Sequence, residues 1–216
     1  MARGIFEPTV LDILEVRLLS GAAAAAVLAA IFLMRQQGSF ARDRQREVRA
    51  SAPTSRALEV IWLAAVNLPI LSVFAGAGWP ELLYAPPLHV GFPNDSVAQV
   101  AGYAAFAVGG FLATQAVRHL GKYMVVHIEV AKDHHLVTSG PYAKIRHPVY
   151  TAAMLWSLGA GLFFLNVVFL ADFLVVLTIA MYRARLEEAL LSSPQGFGLQ
   201  YRAYVARTGR FLPKLR

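Results

Sequence analysis

The chain alternates long charge-free apolar stretches with short segments rich in Arg and Lys. Residues 18–34 lie between Arg17 and Arg35, residues 60–79 between Glu59 and Glu81, and residues 96–117 between Asp95 and Arg118. Residues 148–182 form a 35-residue stretch broken by a single charge, Asp172. A helix needs roughly 20 apolar residues to cross a bilayer core, so each of the first three stretches predicts one span. The last is too long for one span and predicts a helical hairpin turning near Asn166. The expected fold is all-α: a polytopic integral membrane protein of about five transmembrane helices.

Local signals refine that outline. Glu7, Asp12 and Glu15 precede the first span, and Ile31, Phe32, Leu33 and Met34 follow its alanines, a pattern that reads as an uncleaved helix rather than a signal peptide. Pro69 with Asn67 predicts a kink in the second span. Gly102, Ala105, Gly109, Gly110 and Ala113 in the third span predict close packing, because small side chains let backbones approach in lipid. Residues 80–95, with Pro86, Pro87, Gly91 and Pro93, read as an extended cover with no helix. Past the fifth span, Ser193 before Pro194 predicts a helix start, followed by Phe197, Tyr201, Tyr204, Val205 and Thr208 at helical spacing. That amphipathic C-terminal helix suits either a surface anchor or the lid of a pocket.

Composition agrees with the bilayer as solvent: 57% of residues are hydrophobic, 15% are charged, and the mean hydropathy is +0.51. With no Cys, disulfides, thiolate chemistry and Cys metal sites are excluded. Eighteen of the 20 basic residues fall on one face if five spans alternate. By the positive-inside rule the N-terminus lies outside and the C-terminus in the cytoplasm, with a bacterial inner membrane as the expected location. The net charge of +7 then reflects topology and contact with membrane lipid, and a nucleic-acid partner is not expected.

The polar residues cluster. Five of the six His (His119, His127, His134, His135, His147) lie in the third loop and its edges. No HExxH helix or other ligand spacing accompanies them, so no metal is expected. Arg146 and His147 precede Pro148, which suits a first helical position, so both sit at the membrane interface beside a helix N-terminus able to attract a carboxylate. Arg146 could equally snorkel to headgroups. Arg183 and Glu187 lie one turn apart just past the fifth span, where charges next to hydrocarbon are costly unless paired or hydrated.

These residues fall in a recognisable order. LVTSGPYAKIRHPVY, then two apolar helices, then RARLEE, then FGLQYRAYVARTGRFLP resembles the isoprenylcysteine carboxyl methyltransferase family and the related phospholipid methyltransferases, over residues 120–213. The resemblance implies an enzyme dependent on S-adenosylmethionine, with residues 1–117 as a scaffold and residues 118–216 as the catalytic region. By position, His135, Leu136, Val137, Gly140, Tyr142, Arg146, His147, Pro148 and Tyr150 would form the cofactor pocket, closed by Glu187 and Glu188. Arg183 would hold a hydrophobic or lipid-like acceptor, with Tyr201 and Tyr204 nearby, and Arg183, Glu188 and Arg146 are the implied catalytic set.

Two departures stand out. The family usually has Gly where this chain has Ala152, which would narrow the room beside the cofactor, and residues 192–196 lengthen the link to the FGxxY segment. RHPxY also occurs in sterol-reductase-like enzymes, so an NADPH-dependent membrane reductase, a phospholipid N-methyltransferase and a non-catalytic lipid-binding scaffold are the competing readings. Methyl transfer is an in-line displacement that needs alignment and exclusion of water rather than a metal.

Overall fold

The computed structural model describes residues 11–36, 48–85, 87–125 and 127–214. Glu7, Pro86 and the arginines at 3, 42, 44, 46 and 216 lie outside the described residues. The fold is a bundle of apolar helices: α1 (Ile13–Gln36), α2 (Arg56–Gly78), α4 (Asp95–Leu120), α5 (Pro148–Phe163) and α6 (Val167–Ser192). A one-turn helix, α3 (Pro80–Leu83), follows α2, and a short C-terminal helix, α7 (Leu199–Arg207), follows α6. Two short strands, β1 (Val48–Ser51) and β2 (Glu129–Ala131), pair antiparallel and join the loop before α2 to the loop after α4.

The helix starts follow from their capping residues. At α1, Asp12 and Glu15 bond reciprocally: the Glu15 N–H donates to Asp12 Oδ1 at 2.7 Å and the Asp12 N–H to Glu15 Oε2 at 2.8 Å. Ser55 accepts from the Leu58 N–H at α2, Asn94 from Val97 at α4, and Asn166 from Val168 at α6. Large apolar side chains then face outward along the helices, Phe111 being 68% exposed. A continuous belt of this kind suits lipid, and the protein is a multi-pass integral membrane protein.

Four helices are long and apolar enough to cross a bilayer; α5, expected as a full span, has only 16 residues, or about 24 Å of helix. It is packed hardest against α4. A Cβ on Gly102 would lie 2.4 Å from the Phe163 nitrogen, and one on Gly159 would lie 2.8 Å from the Gly102 carbonyl oxygen. The predicted small-residue contact is therefore a backbone-to-backbone approach of α4 and α5. Ala152, fully buried, has its carbonyl oxygen in the same seam opposite Gly109 and is not among the residues that line the cavity described below.

Two local expectations are corrected. Residues 80–95 do contain helix, because Pro80 takes the first position of α3, where a missing N–H costs no hydrogen bond. The helix expected to start at Pro194 starts at Leu199, because Ser193 closes α6: its N–H and Oγ both reach the Leu190 carbonyl. The lengthened link at 192–196 is spent on that closure, with the Phe197 N–H donating to Leu191 O at 2.7 Å and Gly198 at φ +54° turning the chain into α7. Pro69 lies inside α2, and Asn67 folds back to donate to Leu63 O at 2.7 Å.

Candidate functional site

At the end of the bundle away from the Asn166 turn, the start of α5, the end of α6, α7 and the loop after α4 enclose a cavity of about 250 Å³. Its ionic wall comes from α6, where the helical repeat places Arg183 and Glu187 on one face. Arg183 is 2% exposed and Glu187 keeps 32% of its side chain accessible. The Tyr150 hydroxyl, on α5, donates to Glu187 Oε2 at 2.9 Å. His147 stacks parallel to Tyr150 at 5.3 Å between ring centroids.

Behind this wall sits a clamp centred on Glu188. Arg146 Nε donates to Glu188 Oε1 at 2.8 Å, and Arg210 donates to both oxygens, at 3.1 and 2.5 Å. His147 Nε2 lies 3.3 Å from the same Oε1, and its Nδ1 lies 3.5 Å from Glu187 Oε2. Burial alone would push the His147 imidazole down, but the two carboxylates outweigh it and hold the value above the usual 6.5.

The clamp also fixes the C-terminal segment. Backbone bonds run from Arg146 N–H to Gly209 O, from His147 N–H to Arg210 O and from Gly209 N–H to Lys144 O. The Arg146 guanidinium donates to Thr208 O at 2.5 Å, and Thr151 Oγ1 donates to Phe211 O at 2.8 Å.

Tyr201 and Tyr204 of α7, 1% and 2% exposed, point into the cavity rather than at a membrane surface. Burial pushes the Tyr204 phenol up to about 12, so it remains a donor, and it bonds the Tyr142 carbonyl at 2.7 Å. Across the opening, Tyr123 stacks on His134 at 4.1 Å, and His134 meets Phe197 edge-on at 5.4 Å.

The opposite wall is apolar. Trp62, Leu63 and Val66 of α2 line it together with Ala153 and Trp156 of α5, and Trp62 packs with Ala153 in one buried cluster. The Trp62 ring touches both sides, because the Arg183 guanidinium carbon lies 5.6 Å from its centroid and the Tyr150 ring meets it edge-on at 5.3 Å. One cavity thus offers a guanidinium and a carboxylate at one end and aromatic and aliphatic surface at the other.

The comparisons with known proteins point to the same segment. The sequence model of the isoprenylcysteine carboxyl methyltransferase (ICMT) family matches residues 102–193. Residues 102–193 are thus a match to the ICMT family. A protein-S-isoprenylcysteine O-methyltransferase of Schizosaccharomyces pombe is 33% identical over 121 residues, covering 55% of this chain and 50% of the relative. One from Mus musculus is 36% identical over 93 residues, covering 43% of this chain and 32% of the relative. The chain spans about half the length, or less, of these curated relatives. A solved structure of the eukaryotic intramembrane Ras methyltransferase ICMT shares the fold with a TM-score of 0.50 at 24% identity, covering 74% of this chain and 53% of that one.

The ICMT segment supplies most of the cavity but not all of it. Of the residues singled out in the sequence, Leu136, Val137, Tyr142, Arg146, His147, Pro148, Tyr150, Arg183, Glu187, Tyr201 and Tyr204 line it. His135, Gly140 and Glu188 do not. His135 turns its Nδ1 to the Tyr123 hydroxyl at 2.9 Å, while its neighbour His134 takes the lining position. Gly140, at φ +57°, makes a turn so close to His119 that a Cβ would lie 2.4 Å from its Nε2. Glu188 faces the clamp.

Sequence reading missed Trp62, Leu63 and Val66, which lie outside the ICMT match in a helix taken as scaffold, and Arg210 beyond its other end. A signal for the first group did exist: Glu59, Trp62, Leu63 and Val66 repeat at helical spacing from the charged edge of the span. Among the described residues, no group of three or more His, Asp and Glu is arranged to hold a metal ion.

Proposed function

We propose that the protein transfers the methyl group of S-adenosylmethionine to a carboxylate on a hydrophobic, lipid-like acceptor. The observation that carries this reading is the single cavity in which Arg183 and Glu187 stand one helical turn apart, facing an apolar wall from α2 and α5.

The lining fits the cofactor chemically. S-adenosylmethionine carries an ammonium, a carboxylate, ribose hydroxyls and a flat adenine, and supplies when bound an electrophilic methyl on a positive sulfur. Glu187, aligned by the Tyr150 hydroxyl, can accept from the ammonium or the ribose hydroxyls. Leu136, Val137, Tyr142, Pro148 and Tyr201 enclose the remainder and exclude water. Arg183 holds the acceptor carboxylate in a planar fork while the apolar part of the acceptor lies toward Trp62 and Val66. A carboxylate nucleophile has no proton to lose, so alignment is the main requirement. His147, Arg146 and Glu188 act by fixing the frame on which Glu187 and Tyr150 stand.

The names of the matched relatives support an isoprenylcysteine-like acceptor. The placement of basic residues supports an N-terminus outside and a cavity on the cytoplasmic face. Because the chain has no Cys, a cysteine introduced at Gly91 or at Arg207 reports the side by labelling with a membrane-impermeant maleimide; labelling of intact cells is expected at residue 91 alone.

The deciding experiment incubates the purified protein with labelled S-adenosylmethionine and a panel of prenylcysteines, fatty acids and phospholipids, and titrates it with S-adenosylmethionine and with NADPH by calorimetry. Transfer to a carboxylate is expected, with Glu187→Gln weakening cofactor affinity by about tenfold or more. Tight NADPH binding without S-adenosylmethionine binding would overturn the reading.

A further inference from the structure

Trp62 belongs to α2, outside the segment matched to the ICMT family and in a helix whose composition reads as scaffold. Its surroundings are not those of a packing residue alone. It is 7% exposed, its ring lies against the Arg183 guanidinium, and its edge contact orients Tyr150, whose hydroxyl serves Glu187. One turn further along the same face, Val66 continues the wall, with Leu63 between them, all three lining the cavity, and Trp62 packs with Ala153 of α5 where the two helices meet.

We infer that Trp62 is a specificity-determining residue: it fixes how wide an apolar acceptor may be next to the carboxylate held by Arg183, and it holds that guanidinium flat. The inference rests on the proposed methyl transfer and adds to it the residue that reads acceptor girth. The geometry supplies two separable effects. The volume of the indole limits the width of the cavity beside Arg183, whereas its face, as any aromatic face would, steadies the guanidinium. Val66 lines the same cavity one turn away and has no ring to lay on the guanidinium, so it reports girth alone.

The test compares Trp62→Phe, Trp62→Leu and Val66→Phe with the unchanged protein, all purified in detergent and checked for a single symmetric elution peak. Two acceptors are used, a cysteine thioether with a slender unbranched chain and one with a bulky ring-bearing substituent on the sulfur, and cofactor affinity is measured by calorimetry alongside kcat/KM. Trp62→Phe should shift the ratio of kcat/KM values toward the bulky acceptor by about fivefold or more, because a smaller ring opens the wall while keeping an aromatic face. Trp62→Leu should shift it as far and also lower kcat/KM for both acceptors by about tenfold, with cofactor affinity changed by less than about twofold. Val66→Phe should shift the ratio the opposite way.

An unchanged ratio in all three variants, with the parent protein active, overturns the role of Trp62 and leaves methyl transfer standing. A parallel loss of cofactor affinity and kcat/KM in Trp62→Phe also overturns it, since that marks a structural support. Failure of the parent protein to methylate either acceptor, with no transfer to the wider panel, overturns the methyl-transfer reading and this inference with it.

Discussion

The two ends of the helical bundle solve opposite problems. At the Asn166 turn the hydrogen bonds that close the core join neutral groups, and the Arg17–Glu81 ion pair at that end is exposed. The Tyr84 hydroxyl donates to Phe163 O at 3.2 Å, Gln99 Nε2 donates to that hydroxyl at 3.2 Å, and Asn166 Nδ2 donates to Leu83 O at 2.6 Å. They close over a filled core of Phe163, Phe164, Leu165 and Phe169, with Leu165 accepting a left-handed φ of +48° to make the turn. At the other end, Arg146, Arg183 and Glu187 line the cavity, and Glu188 and Arg210 form the clamp behind them. Neutral hydrogen bonds and packed rings seal one end at low electrostatic cost, whereas desolvated charges are costly to keep unless paired, as Arg146 and Arg210 are with Glu188.

The largest effect expected lies in the sealed seam. Gly102→Leu forces a side chain against the α5 backbone, the Phe163 nitrogen at 2.4 Å and the Gly159 oxygen at 2.7 Å from the first atom added. A cost of about 3 kcal/mol or more should abolish the monodisperse peak in detergent. Gly110→Ala, whose nearest neighbour is Trp156 Nε1 at 3.7 Å, should elute as the unchanged protein does.

Next comes the clamp. Glu188→Ala leaves Arg146, with 9% of its side chain exposed, without its carboxylate, at an expected cost of about 3 kcal/mol read as a lower thermal midpoint. Adding Arg210→Ala should cost little more, because the more exposed Arg210 acts through the same carboxylate. Equal and additive losses would show that Glu188 is not the centre of the clamp.

Tyr84→Phe removes one neutral donor from the sealed end. It should cost about 1 kcal/mol of stability and leave the proposed methyl transfer unchanged, since it lies outside the cavity.

The smallest effect concerns His147. Facing it are Glu187 and Glu188 from α6 and Tyr150 from α5, with Arg146 beside it and Arg210 reaching the same Glu188. Its value is raised in the folded protein, so its stabilisation is fully present below the unfolded value near 6.5 and is lost as pH rises through the higher folded value. The thermal midpoint of the unchanged protein should therefore fall across that window, and His147→Gln should flatten the fall.

Much of the frame was legible in the chain because each feature depends on local chemistry. Charge-free length marks a span, a capping Asn marks the turn at 166, and small residues mark the α4–α5 seam. Boundaries set by neighbours were less legible. Pro194 looked like a helix start until Ser193 was found closing α6, and the full fourth span became a 16-residue helix. For the candidate site, the residues of the third loop and of α6 could be named because charged groups beside long apolar runs are conspicuous.

By itself, the sequence determined that this is a multi-helix membrane protein and that its ionisable groups gather beside the last two spans, because hydropathy and charge act along the chain without reference to partners. Only the tertiary structure decided which side chains share the cavity. It turned Glu188 into a clamp with Arg146 and Arg210, placed His134 rather than His135 at the lining, and brought Trp62 from α2 against Arg183, 121 positions away in the sequence. Those outcomes depend on how helices rotate and meet, and packing of that kind is a property of the assembled bundle rather than of any one segment.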